Sequence, residues 1–204
     1  MSEKKPVSRL HIFLLASLFL VLIWSAIKPH DYFTWFLEVL PALLAVGILA
    51  FFYNRFRFTN LVYVIVWFHC IVLMVGAKYT YAEVPVGYYV SDLFGWSRNN
   101  YDKVGHFMQG FSPALITREI FIRKNIVNGK WWTFFLAVCV SLAFSAFYEF
   151  VEWWVAVATG DSAESFLGTQ GYQWDTQTDM FMCMTGSILA LLFLSNRQNK
   201  ELGK

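Results

Sequence analysis

Six stretches of this 204-residue chain are apolar enough and long enough to cross a bilayer, and no other feature constrains its fold as tightly. A hydrocarbon core about 30 Å thick takes roughly 20 apolar residues of helix. Helices satisfy their own backbone hydrogen bonds there, where water cannot. The stretches are Leu10–Ile27, Phe33–Tyr53, Asn60–Ala77, Val104–Phe121, Trp131–Trp154 and Gln177–Leu194. The chain therefore reads as all-α, a polytopic membrane helical bundle of six transmembrane helices forming one membrane domain over 1–204. Hydrophobic residues make up 57% and charged residues 15%, against roughly 25% charged in a soluble domain. So much apolar surface cannot be hidden inside a sphere of this size, and its partner is membrane lipid. Disorder, fibrous repeats and a secreted disulfide scaffold are excluded, and a net charge of +2 offers nucleic acid no footprint.

Charge sets the expected orientation. Of the 16 Lys and Arg, 12 flank the spans on one side, among them Lys4, Lys5, Arg9, Arg55, Arg57, Arg123 and Lys124. Lys28, Lys78, Arg98 and Lys103 lie on the other. The positive-inside rule puts both termini in the cytoplasm. The first span is read as an uncleaved anchor, because Ser25-Ala26-Ile27 followed by Lys28-Pro29 is a poor cleavage site. Acids run the other way, with 11 of 14 on the outer half, including Glu38, Asp102, Glu149, Glu152, Asp161, Asp175 and Asp179. Two long outer connections, 78–103 and 155–176, are rich in Tyr, Trp, Gly and Ser. They read as loops, with Tyr88, Tyr89, Phe94, Trp96 and Tyr101 as a headgroup belt or as a lid over a site.

The last three spans carry polar residues at helical spacing. Asp102, His106 and Gln109 stand at i, i+4 and i+7 and share a face. Asp102 is a plausible N-cap, and a carboxylate one turn from an imidazole also orients it for proton transfer. Glu149 and Glu152 share a face at i, i+3, with Glu149 about 5 Å deeper than a solvated helix end. Asp175 and Asp179 are i, i+4, with Asp175 suited to capping and Gly186 seven residues past Asp179 suited to close helix packing. Acids inside spans normally face a bundle interior or a water-filled cavity. Alternating topology brings all three sets to the outer ends of the last three spans. There His106, Glu149, Glu152 and Asp179 are expected to converge on a polar pocket, with Asp102 and Asp175 at its rim and Lys103 and Gln109 offsetting charge.

The remaining polar residues read more simply. Cys70, Cys139 and Cys183 have no disulfide or metal spacing and pack as small hydrophobes. His69 suits an interhelical hydrogen bond. Arg118 suits snorkelling to the interface, and Glu119 a pair with Arg123 at i+4. Pro41 and Pro113 sit mid-span, where membranes tolerate them.

Three stretches carry a family resemblance: Tyr101-Asp102-Lys103-Val104-Gly105-His106-Phe107-Met108-Gln109-Gly110, Tyr148-Glu149-Phe150-Val151-Glu152-Trp153, and the run from Phe166 through Gly168-Thr169-Gln170-Gly171 to Asp179. Together they closely resemble the YjdF-like family of bacterial inner-membrane proteins, which implies that location for this chain. The Asp-Lys-x-x-His-Phe of residues 102–107 is more loosely similar to VanZ-like proteins of the cell envelope, from which the long aromatic loop and the Gly168–Gly171 stretch depart.

Three functions suit these residues. An envelope enzyme acting on a lipid-linked substrate would use His106 as acid or base, oriented by Asp102, with Glu149 and Glu152 in catalysis. Asp175 and Asp179 would then hold a divalent metal, since oxygen donors with one His suit Mg²⁺, Mn²⁺ or Zn²⁺. A proton-coupled transporter would use the same acids as a relay without metal. A non-catalytic scaffold would use them as interhelical hydrogen bonds.

Overall fold

The computed structural model describes residues 6–160, 164–167 and 169–204, so Lys4, Lys5, Asp161 and Gly168 lie outside the described residues. Six long helices coincide with the six apolar stretches. In chain order the helices are α1 (Arg9–Ala26), α2 (Tyr32–Phe52), α3 (Asn60–Tyr79), α4 (Pro85–Phe94), α5 (Tyr101–Lys124), α6 (Lys130–Thr159), α7 (Glu164–Leu167) and α8 (Asp175–Glu201). Only α4 and α7 are short, and no strand occurs among the described residues. Five of the long helices are apolar enough to cross a membrane by themselves. The exception, α5, packs against α3, α6 and α8. It buries Asp102, His106, Ser112, Thr117 and Glu119 against them, so its neighbours supply the covering that lipid supplies elsewhere.

Small residues allow the closest approach. A Cβ on Gly110 of α5 would lie 1.8 Å from the Cys183 carbonyl oxygen, and one on Gly186 of α8 would lie 2.0 Å from that of Phe107. The two glycines sit opposite each other's helix, so backbone meets backbone, as the spacing of Gly186 suggested. On the other side of α5, α1 and α2 flank α3, with Leu18, Val39, Val66, Met74 and Leu115 in one core. Outward lie Phe13, Phe19, Ile48, Phe144 and Phe193, all exposed. This is a surface made for acyl chains. On α6, exposed Trp131 and Trp132 at one end and Trp153 and Trp154 at the other stand about 33 Å apart along the axis, one hydrocarbon thickness.

Several local expectations change. The connection 78–103 is not a bare loop: a 3-10 turn over Tyr81–Glu83 leads into α4, which Pro85 opens at its first position and Gly95 closes at φ 67°. The second connection is shorter than expected, because α6 continues to Thr159. Tyr88, Tyr89, Phe94 and Trp96 are exposed, but Tyr101 is buried and its hydroxyl donates to the Val72 carbonyl at 3.0 Å. Neither Asp102 nor Asp175 is an N-cap; Asn100 and Trp174 hold those positions, without side-chain caps. Asp31 does cap α2, accepting from the Thr34 N–H at 2.6 Å, and this bond holds its carboxyl below the ordinary range. Pro41 and Pro113 lie within continuous helices.

His69 makes its interhelical bond, Nδ1 to Ser112 Oγ at 2.7 Å. All three cysteines are free, with Cys70 and Cys183 buried. Arg118 does not snorkel. It donates to Gln198 Oε1 at 2.7 Å and Asn199 Oδ1 at 2.6 Å, because α8 lies close enough to offer amide oxygens instead of water.

Candidate functional site

At the end of the bundle remote from the termini, the first two turns of α5 present Asp102, Lys103, His106 and Gln109. His106 Nε2 is 3.3 Å from Asp102 Oδ1, and Nδ1 is 3.0 Å from Gln109 Oε1. The i, i+4 spacing thus yields the carboxylate–imidazole pair directly. With Asp102 accepting from Nε2–H, Nδ1 is the basic nitrogen of the ring, toward Glu149 at 3.9 Å and toward the Gln109 amide, which must then turn its NH₂ rather than Oε1 to the ring. This tautomer is assigned from its partners.

The opening turns of α8 close one side. Lys103 Nζ donates to Asp175 Oδ1 at 2.8 Å and Asp179 Oδ1 at 2.6 Å, and lies 3.5 Å from Asp102 Oδ2. One ammonium therefore joins three aspartates. Arg98, ahead of α5, reaches Asp175 Oδ1 at 3.0 Å and stacks near the Tyr172 ring. Asp179 Oδ1 is also 3.8 Å from His106 Nε2. Around Asp175 and Asp179 the charges are matched by bases from another helix and its approach.

The opposite side of His106 differs. A cavity of about 70 Å³ is lined by Glu38, Tyr81, Asp102, His106, Tyr148 and Glu152, among others. Glu38, from the second turn of α2, is 2% exposed, and neither of its carboxylate oxygens has a hydrogen-bond partner among the described residues. The Thr80 hydroxyl and the Tyr81 N–H approach it without full hydrogen-bond geometry. Glycines put Tyr81 there: Cβ atoms on Gly76 and Gly105 would lie 2.6 and 2.9 Å from its ring. Glu149 Oε1 is likewise buried without a hydrogen bond.

The expected residues therefore come together. Around His106 stand Asp102, Glu149 and Asp179 within 4 Å, and Glu152 lines the same cavity. Asp102 is part of the center, not its rim. For a metal, the donors close enough to share an ion among the described residues are Asp102, His106 and Asp179, within 4.8 Å of one another. Asp175 is not in that trio; its Oδ1 is held by Arg98 and Lys103. Sequence reasoning did not single out Glu38, Tyr81, Tyr148 or Arg98 for the site. Glu38 had a signal, as the one charged residue in an otherwise apolar α2. The others had none, since helix packing alone brings them in.

A comparison with protein families matches residues 10–200 to the family described as "Predicted membrane protein (DUF2238)". Among curated proteins the chain is similar to "Inner membrane protein YjdF" of Escherichia coli (strain K12), 48% identical over 186 residues that cover 91% of this chain and 89% of that protein. No solved structure matches. Neither match bears on the looser likeness to VanZ-like proteins, and no role is carried over from it.

Proposed function

The chain belongs to the DUF2238 family of predicted membrane proteins, and on that footing we propose that it is a multi-pass enzyme of the bacterial inner membrane whose acid–base site faces the outer leaflet. Both termini lie in the cytoplasm in this reading, as the basic flanks require. The observation that carries it is His106, 5% exposed, held by Asp102 and lining a cavity that also carries Glu38 and Glu152. An oriented imidazole across a small cavity from a carboxyl is an acid–base pair placed for proton transfer to and from a hydroxyl, water or ester group.

In this reading His106 removes the proton, Asp102 fixes its tautomer, and Glu149 supports the charge that develops on the ring. Glu152 returns a proton to the leaving group. A lipid-linked substrate fits the depth of the site, since Glu152 is next in sequence to the exposed Trp153 that marks the headgroup level. A groove of about 940 Å³ beside it, walled by Val86, Val104, Phe181 and Met182 with Lys103 at its edge, is apolar enough for an acyl chain. A divalent ion held by Asp102, His106 and Asp179 would have to displace the Lys103 ammonium, which already lies 2.6 Å from Asp179.

The test compares lipid extracts by mass spectrometry from cells producing the wild type or His106→Gln at equal levels. A lipid species consumed by the wild type and spared by the variant is expected; identical profiles would remove the enzyme reading and leave the scaffold. Orientation is tested separately by cysteines introduced at Asn100 and Asn128. A membrane-impermeant thiol reagent should label position 100 in intact cells and not position 128, and the reverse pattern would invert the topology.

A further inference from the structure

Resting on that reading of the site, we infer that the cavity beside His106 receives an ammonium group, so that the ligand is a lipid with a primary amine in its headgroup. The reason is a buried carboxyl group left without a partner in a particular setting. Glu38 is 2% exposed, its carboxylate oxygens have no hydrogen-bond partner among the described residues, and it lines the cavity together with Glu152 and Asp102. No lysine or arginine among the described residues lines that cavity. Lys103 is held by Asp175 and Asp179, and Arg98 by Asp175. Asp102 shares His106 and Lys103, which leaves Glu38 to an incoming cation.

The rest of the lining indicates which cation. Tyr81, Tyr148 and Phe166 contribute aromatic rings, and carboxylates with aromatic walls suit an alkylammonium, which ring faces attract as well as acids. Glu38 and Glu152 belong to no set of three ligand atoms close enough to share a metal ion among the described residues. About 70 Å³ holds roughly two waters, or the aminomethyl end of a larger molecule whose remainder stays outside. Trp153 and Trp154 put this cavity at headgroup depth, where the amine of a phospholipid resides.

The test places the purified protein in nanodiscs containing equal phosphatidylethanolamine and phosphatidylglycerol, and counts the lipids retained on release by native mass spectrometry. The wild type should retain the amine lipid at least about ten-fold over the glycerol lipid, a difference of about 1.4 kcal/mol. Glu38→Gln, which keeps the shape and removes the charge, should abolish that preference. Should Glu38→Gln not yield monodisperse protein, Tyr148→Leu, which removes one aromatic wall and no charge, should lower it several-fold. Equal retention of both lipids by the wild type, or an unchanged preference in the variant, would overturn the inference. Binding of dissolved ethanolamine to lipid-stripped protein as tightly as the lipid would overturn its lipid source. His106→Gln separates the two readings: retention of the amine lipid with loss of turnover supports both. Unchanged lipid profiles in cells with amine preference intact would sink the catalytic role and leave the ammonium site standing.

Discussion

The two ends of α5 each bury a carboxylate against neighboring helices, and they do so in opposite ways. At the end near the termini, Glu119 is fully buried and accepts from the Thr59 N–H at 3.0 Å, the Thr59 hydroxyl at 2.7 Å, Arg123 at 2.8 Å and Gln198 at 3.3 Å. Gln198 also donates to the Leu115 carbonyl at 2.9 Å and accepts from Arg118. Every lone pair that costs desolvation is repaid by a donor. At the other end, both carboxylate oxygens of Glu38, which lines a cavity, and Oε1 of Glu149 are buried without a hydrogen-bond partner among the described residues. A saturated network holds helices together. An unsaturated one beside open space persists where a ligand or a reaction needs it. The contrast separates a structural lock from a site more sharply than the identity of the residues, because both ends carry acids, amides and bases.

The largest effect expected is on turnover. His106→Gln should lower consumption of the lipid species by about 10²–10⁴-fold, the usual contribution of a general acid or base. The midpoint of thermal unfolding in detergent should stay close to that of the wild type. A collapse of the midpoint together with activity would place His106 in the lock instead. Next comes stability. Glu119→Ala strands Arg123, Gln198 and the Thr59 donors and should cost about 3–5 kcal/mol in denaturant titration of bicelle-reconstituted protein. Glu38→Gln in the same assay should cost nothing or add stability, since its amide oxygen still faces the Thr80 hydroxyl and the Tyr81 N–H. Equal losses from the two substitutions would erase the distinction between the ends.

Gly110→Ala probes the hinge that keeps both ends in register. Its Cβ would fall 1.8 Å from the Cys183 oxygen and must push α5 and α8 apart. A loss of about 1–3 kcal/mol is expected, and displacement of Asp179 from His106 should reduce turnover with it. An unchanged midpoint would mean that the two helices are less closely fitted than their backbones indicate. The smallest effect belongs to the cap. Asp31→Ala should lose about 0.5–1 kcal/mol at neutral pH. The bond from Thr34 holds the Asp31 carboxyl below its ordinary range in the folded protein, so its contribution is present above the unfolded value. It is lost on acidification as the folded carboxyl takes up its proton, and the variant and wild type should converge there. A difference that survives in acid would assign it to packing instead.

Much of the fold is visible in the amino-acid order because its determinants are local. Run length decides that residues 10–27 or 60–77 cross a membrane as helices. The 3.6-residue period decides that Asp102 and His106 share a face, and the structure brings them to 3.3 Å. The same local rules were misleading where two uses compete for one side chain. Asp102 and Asp175 have the residue type and position of caps, yet each is drawn to bases instead: His106 and Lys103 of its own helix for the first, Arg98 and Lys103 from a distant part of the chain for the second. A charge-assisted bond in a buried setting outweighs a cap that water can replace.

What only the tertiary structure decided is which faces meet. Lys103 reaches Asp175 and Asp179 across 72 and 76 residues of chain. That is possible because Gly110 and Gly186 let α5 and α8 approach backbone to backbone. Tyr81 enters the cavity because Gly76 and Gly105 leave a slot for its ring. Glu38 joins the site because α2 turns that face inward, across from a helix more than sixty residues away. Hydropathy and periodicity determine how much of each helix must avoid lipid and on which side. They carry no information about the partner that covers it, since interhelical contact depends on the shapes of two surfaces at once. The six spans and the Asp102–His106 pair were therefore properties of the sequence, and the open carboxylates beside His106 were a property of the packing.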